Sequence, residues 1–279
     1  MQSLADLLEK NRDAITQCLY LSDGRWSRPR NNLPERIRSY EAEHASPELF
    51  KDEQVWTFLA ACGYAIAGAE GVKKLTKILT GSDLSQPDCA KIWMEVLPFP
   101  PRKREGNTNL DLALGTIKCR DETTGGIKLG SQSPSWICFC EMKWYSDIST
   151  STTHDIHRNQ LARVIENALY FNDGDRHSDC VYVALVTPKA FKNTNVKSRL
   201  YQYKFEEYEA DRGHLVKDFE ACVLEEKGEH AIGNVADRVK RLTLRWSTYD
   251  EIFAEIPTSE ISEKLKEFWQ ERGKYQGRS

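Results

Sequence analysis

Trp136-Ile-Cys-Phe-Cys-Glu-Met-Lys143 is an apolar run that ends on a glutamate and a lysine two residues apart. A short run of this kind predicts a strand buried on both faces. Residues i and i+2 of a strand point to one side, which puts Glu141 and Lys143 on one face and Met142 on the other. An acid and a base at the end of a buried strand are costly to hold there without partners, and that cost singles the pair out for function.

Outward from this strand the pattern is strand-rich. Asn109-Leu-Asp-Leu-Ala-Leu-Gly115 alternates, which predicts Leu110, Leu112 and Leu114 on one face and Asp111 on the other. Lys91–Pro98 reads as a further strand, and the polar, glycine-containing stretch 118–134 as an exposed hairpin or loop. Downstream, Leu161, Val164, Ile165 and Leu169 fall at helical spacing within His157–Phe171, and Cys180–Val186 is another apolar strand closed by Pro188. Lys189–Glu229 reads as mostly polar helix, Leu242–Trp246 as a last strand, and 248–273 as closing helices.

At the other end, 2–21 reads as an amphipathic helix followed by a basic turn from Gly24 to Arg30. Ser46-Pro47-Glu48 predicts a helix start opening Leu49–Tyr64, and a further helix from Glu70 stops at Gly81. The fold class is α/β, a mixed central sheet flanked by helices with added helices at both ends. Its organisation is an N-terminal helical extension (1–45), a core (46–190), and a mostly helical C-terminal extension packed on the core (191–279).

Composition sets outer bounds. Among 279 residues, 40% are hydrophobic and 29% charged, ordinary for a globular protein, and the net charge of −3 means that an anionic partner must be met by a local basic patch. No apolar run approaches the roughly 20 residues that span a bilayer, and the first ten residues lack a signal-peptide pattern. The eight cysteines show no zinc-ligand spacing and read as reduced thiols of a cytoplasmic protein. No phosphate-binding GxxxxGK[ST] loop is present.

Glu-x-Lys carries little information alone. A second copy, Glu225-Glu-Lys227, lies in a charged segment and reads as a solvated face. The first copy differs because one apolar strand delivers it while another delivers Asp111. In that setting the chain resembles the PD-(D/E)XK nuclease superfamily, whose fold is restriction-endonuclease-like. Asn109-Leu-Asp111 matches the first element, with leucine in place of proline, and Glu141-Met-Lys143 matches the second, about thirty residues on. Glu53, within Phe50–Phe58, falls where many members carry an additional glutamate, and Arg158-Asn-Gln-Leu-Ala-Arg163 looks like their glutamine-containing helix. The likeness covers about residues 46–187.

The resemblance implies a Mg²⁺-dependent endonuclease acting on DNA, with a role in bacterial defence, restriction or repair. Mg²⁺, with Mn²⁺ as substitute, prefers oxygen ligands. Asp111, Glu141 and the Met142 carbonyl would hold it, and Glu53 is the candidate for a further acid. Lys143 would serve the attacking water, and Gln160 would support it. Arg102, Lys103 and Arg104, just ahead of Asp111, together with Arg163, are the candidate phosphate contacts. A homodimer would place two sites on a duplex. The alternatives are a structural ion pair in an inactive nucleic-acid-binding or assembly module of the same fold, and a nuclease directed at RNA. His154-Asp-Ile-His157 also has a spacing that suits a metal.

Overall fold

The computed structural model describes residues 2–21, 26, 32–42, 49–88, 90–121, 123–148, 158–192, 199–227 and 235–273. The elements run α1 (Leu4–Lys10), α2 (Arg12–Cys18), β1 (Leu19–Leu21), α3 (Leu33–Ala42), α4 (Glu53–Ala65), α5 (Gly68–Thr80), β2 (Ile92–Val96), β3 (Leu110–Gly115), β4 (Ile117–Cys119), β5 (Ile127–Leu129) and β6 (Trp136–Met142). There follow α6 (Gln160–Leu169), β7 (Asn172–Asp173), β8 (Arg176–His177), β9 (Cys180–Thr187), α7 (Lys189–Lys192), α8 (Leu200–Ala210), α9 (Arg212–Glu220), α10 (Val235–Val239), β10 (Leu242–Thr248), α11 (Tyr249–Ala254) and α12 (Glu260–Phe268).

Six strands form one mixed sheet in the order β1-β2-β3-β6-β9-β10. The β2–β3 and β3–β6 pairings are antiparallel, and β1–β2, β6–β9 and β9–β10 are parallel. A parallel pair needs a crossover, and α6 supplies it between β6 and β9. Helices cover both faces. Leu112, Leu114, Cys138, Cys140 and Met142 pack in one apolar layer with residues of α1, α3, α4, α5, α11 and α12. Ala113, Ile137, Phe139, Val183 and Leu185 pack in the other with residues of α6, α8 and α9.

The sequence expectations need several corrections. The helix expected over 2–21 is two helices meeting at Asn11, and its last residues, Leu19–Leu21, form an edge strand beside β2. The opposite edge, β10, comes from the C-terminal segment, so 1–45 and 191–279 each complete the sheet rather than only decorate it. Leu110 packs in the layer opposite to Leu112 and Leu114, so the expected alternation of β3 breaks at its first residue. The stretch 118–134 contains the β4–β5 hairpin, yet Ile127 and Leu129 are buried, because the hairpin folds back onto a core layer. Gly115 lies so near β6 that a Cβ would stand 2.2 Å from the Trp136 carbonyl oxygen, which only glycine avoids.

The helix starting near residue 46 lies partly outside the described residues, and α4 itself begins at Glu53 with Asp52 as its cap. No helix among the described residues is long and apolar enough to cross a membrane. The described cysteines are free thiols.

Aromatic rings knit the C-terminus to the strand ends. Trp269 stacks on Phe253 at 4.4 Å and meets Trp56 and Trp144 edge-on at 5.4 and 5.3 Å. Trp269→Ala is expected to remove about 3–5 kcal/mol of stability, read as a lower urea midpoint.

Candidate active site at the strand ends

Strand β6 leaves the sheet at Lys143, whose amide still donates to the Val186 carbonyl at 2.8 Å and so fixes the exit of the chain. Its side chain turns back to Glu141, with Nζ 2.9 Å from Oε1. The shared face predicted from the two-residue period is therefore realised as a direct ion pair. Glu53, first residue of α4, reaches the same ammonium at 3.1 Å. Its second oxygen accepts the Trp144 amide at 2.9 Å and the Ser146 hydroxyl at 2.8 Å. Asp111, on the neighbouring strand β3, accepts the Met142 amide at 2.9 Å. Four residues separated by up to ninety positions thus meet at one end of the sheet.

Burial sets the electrostatics. Glu141 and Lys143 are 3% and 5% exposed. Burial pushes the Asp111 carboxyl well above its ordinary range; the Glu141 charge adds to the rise, Lys143 opposes it, and Glu53 raises it further. Glu141 is also raised by burial, with Lys143 opposing. For Lys143 burial disfavours the charge, but Glu141, Asp111 and Glu53 outweigh it and keep the ammonium protonated. Three carboxyl groups and one ammonium thus share this end of the sheet.

A cleft of about 240 Å³ opens beside Glu53, Thr57 and Asp111, and two further acids, Asp52 and Glu95, line it together with Lys51. Sequence reading missed Glu95. It sits between the Met94–Leu112 and Val96–Leu110 pairs, hence across from Asp111, with φ +56° and 5% exposure. A left-handed backbone is uncommon outside glycine and costs on the order of 1–3 kcal/mol at such a position. Its carboxylate accepts the Gln54 amide at 2.9 Å and the Asn109 amide. The sequence signal, a glutamate inside Ile-Trp-Met-Glu-Val, was present but looked like an ordinary polar position of a strand.

Other expected residues lie elsewhere. Arg102 is 4% exposed and is not a surface phosphate contact. Its Nε donates to Glu166 at 2.9 Å, and its terminal nitrogens donate to the Leu224 and Phe219 carbonyls at 2.8 and 2.9 Å. Arg158 joins the same network through Glu166 at 2.6 Å and through Glu105. Buried acids demand such partners, and Arg102 is committed to Glu166 on α6. Lys103 is exposed and pairs with Glu225 at 3.0 Å, while Arg104 is exposed on a turn with φ +61°.

Arg163 donates to the Asn107 carbonyl at 3.1 Å and lies 3.4 Å from Glu105, and its charge lowers the pKa of Glu141. Gln160 is the half-buried first residue of α6. Trp144, 1% exposed and stacked on Trp56 at 4.9 Å, belongs to the core. His154, His157 and the Gly24–Arg30 turn lie outside the described residues, apart from Trp26.

Among the described residues no group of three or more His, Cys, Asp or Glu is already disposed to hold a metal ion. A wider cleft of about 930 Å³ lies apart, between α7 and α11, and holds none of the residues above.

Two consequences follow from the charges. Asp111 has a raised pKa in the folded state, so its contribution to stability is fully present below the unfolded carboxyl value and is lost as pH rises through the folded value. Asp111→Asn should therefore raise the melting temperature at pH 8 and make little difference near pH 4, each 1 kcal/mol of relief being worth about 2–4 °C. Arg102→Ala leaves Glu166 short of its main partner and is expected to lose about 3–5 kcal/mol in urea unfolding, whereas Lys103→Ala leaves the midpoint in place. No protein-family model, curated protein or solved structure matches the chain.

Proposed function

We propose that the chain is a metal-dependent nuclease of the PD-(D/E)XK superfamily that hydrolyses phosphodiester bonds in DNA. The observation that carries this reading is the contact of Lys143 with Glu141 at 2.9 Å and with Glu53 at 3.1 Å, beside an Asp111 that holds the Met142 amide. The antiparallel β2–β3–β6 run, followed by the α6 crossover to the parallel β9, is in keeping with a restriction-endonuclease-like sheet.

The donor set suits a hard divalent cation. All candidate ligands are oxygens, and carboxylates outnumber the single ammonium. Mg²⁺ commonly takes only one or two carboxylates from protein and completes its shell with water and substrate phosphate, so a ready-made protein cage is not required. Asp111 and Glu141 would hold Mg²⁺, or Mn²⁺ in its place, with the Met142 carbonyl alongside. When bound, the cation supplies Lewis-acid stabilisation of the phosphoryl oxygens.

The chain's own residues do the rest. Lys143, kept protonated by its carboxylates, donates hydrogen bonds toward the attacking water and the charge that develops on the phosphoryl oxygens. Glu53 orients that ammonium and ties it to the backbone of Trp144. Gln160 supports the site from the start of α6. Lys103 and Arg104 remain as phosphate contacts, and Arg163 acts on the site through Glu141 and the 105–107 loop. Two copies of the chain would serve the two strands of a duplex.

The test is digestion of duplex DNA, single-stranded DNA and RNA with Mg²⁺ or with a chelator. Duplex DNA should be cut only with the cation, and Lys143→Ala and Asp111→Ala should each slow cutting by at least about 100-fold. Preference for RNA would move the substrate, binding of DNA without cutting by the unaltered chain would leave an inactive module, and full activity in both variants would refute the catalytic assignment.

A further inference from the structure

Strand β2 carries a buried acid in an unusual backbone state. Glu95 has a left-handed φ of +56° inside the strand and is 5% exposed. The ladder to β3 pairs Trp93, Met94 and Val96 with Ala113, Leu112 and Leu110, and it skips the step at 95–111. Glycine takes a left-handed φ without the steric penalty that a Cβ brings. A glutamate here adds to that penalty the lost hydration of its carboxyl group. Strain of this kind persists where the surroundings hold it, and it gathers at sites that bind or react.

The partners of Glu95 are placed to use it. Its Oε1 accepts the side-chain amide of Gln54 at 2.9 Å, and its Oε2 accepts that of Asn109. Gln54 follows Glu53 on α4, and Asn109 stands two residues before Asp111, at the entrance to β3. The orientation of Gln54 is set from its other side, because its Oε1 accepts Arg36 Nη1 at 2.9 Å and leaves the amine for Glu95. Arg36 also donates through Nε to Asp52 at 3.1 Å, and Asp52 caps α4 by accepting the Val55 amide at 3.1 Å. One carboxylate therefore spans the start of the helix that carries Glu53 and the start of the strand that carries Asp111. All three acids line the same cleft.

We propose that Glu95 is a positioning residue of the candidate site, which sets the separation of the Glu53 and Asp111 carboxylates by gripping Gln54 and Asn109. The inference rests on the nuclease reading above and concerns how these two acids are presented to a divalent cation. The grip accounts for the residue type. Glycine would take the backbone without strain but leave both amides unheld, and glutamine would turn its own amine toward one of two amine donors. A carboxylate offers an acceptor on each side, and aspartate, shorter by one methylene, has less reach.

The experiment pairs Glu95→Gly with Asn109→Ala, which removes one of the gripped amides at an exposed position. Melting temperature, Mn²⁺ affinity by calorimetry without DNA, and cutting of duplex DNA with Mg²⁺ are read on the full chain. Glu95→Gly should lose about 10–100-fold in Mn²⁺ affinity and in kcat, the usual cost of removing a group that holds metal ligands in place. Its melting temperature should stay level or rise, because release of the strained backbone and of the buried carboxyl offsets two lost hydrogen bonds. Asn109→Ala should lose a smaller part of both, and the double variant no more than Glu95→Gly, since one grip is broken either way. Unchanged affinity and cutting in Glu95→Gly, or additive losses in the double variant, would overturn the proposal. Full Mn²⁺ affinity in Asn109→Ala overturns it too: with affinity lost in Glu95→Gly it makes Glu95 a ligand of the ion, and with Glu95→Gly unfolded it makes Glu95 structural only. Mn²⁺ binding that depends on Glu95 and Asn109 in a chain that cuts nothing would keep the grip and remove the nuclease; cutting that ignores both variants would do the reverse. A chain that neither binds Mn²⁺ nor cuts removes both.

Discussion

The Lys143 ammonium lies between Glu141 and Glu53, with Asp111 on the next strand, and the arrangement of the sheet end depends on that one charge. Burying a carboxylate without a counter-charge is unfavourable enough that it protonates instead. One ammonium can offset part of three such charges and no more. The remainder explains why burial and mutual repulsion raise Asp111 and Glu141 while the same neighbours keep Lys143 charged.

Two kinds of buried charge coexist in the molecule and differ in what they face. Arg102, Arg158, Glu105 and Glu166 satisfy one another and nearby carbonyls, and they tie the loop before β3 to α6 and to the segment after α9. That network is balanced and inward. The Lys143 cluster holds more acids than bases and borders a cleft that Glu95 and Thr57 also line. The first set closes on itself, and the second faces a cleft.

Support for the cluster comes from both sides of the sheet. Trp144, directly after Lys143, packs among Trp56, Tyr249 and Trp269. On the other face Arg163 reaches both the 105–107 loop and the field of Glu141. A side chain placed to a fraction of an ångström needs neighbours that are themselves immobile. The aromatic plug and the arginine supply that from opposite directions.

Strand period alone was enough to put Glu141 and Lys143 on one face, and apolar runs were enough to mark β2, β3, β6 and β9, because both depend on neighbours in sequence. Glu53 could be named from its helix start, though not its double grip on Lys143 and the Trp144 amide. Sequence could not show that Glu95 takes a left-handed backbone opposite Asp111, that Arg102 turns inward to Glu166, or that Leu19–Leu21 closes a sheet edge. Each of those is decided by what lies across a strand pair or a loop, at separations where local propensity has no hold. Local pattern thus determined which residues could meet, and tertiary packing decided which charges were balanced within the fold and which were left facing a cleft.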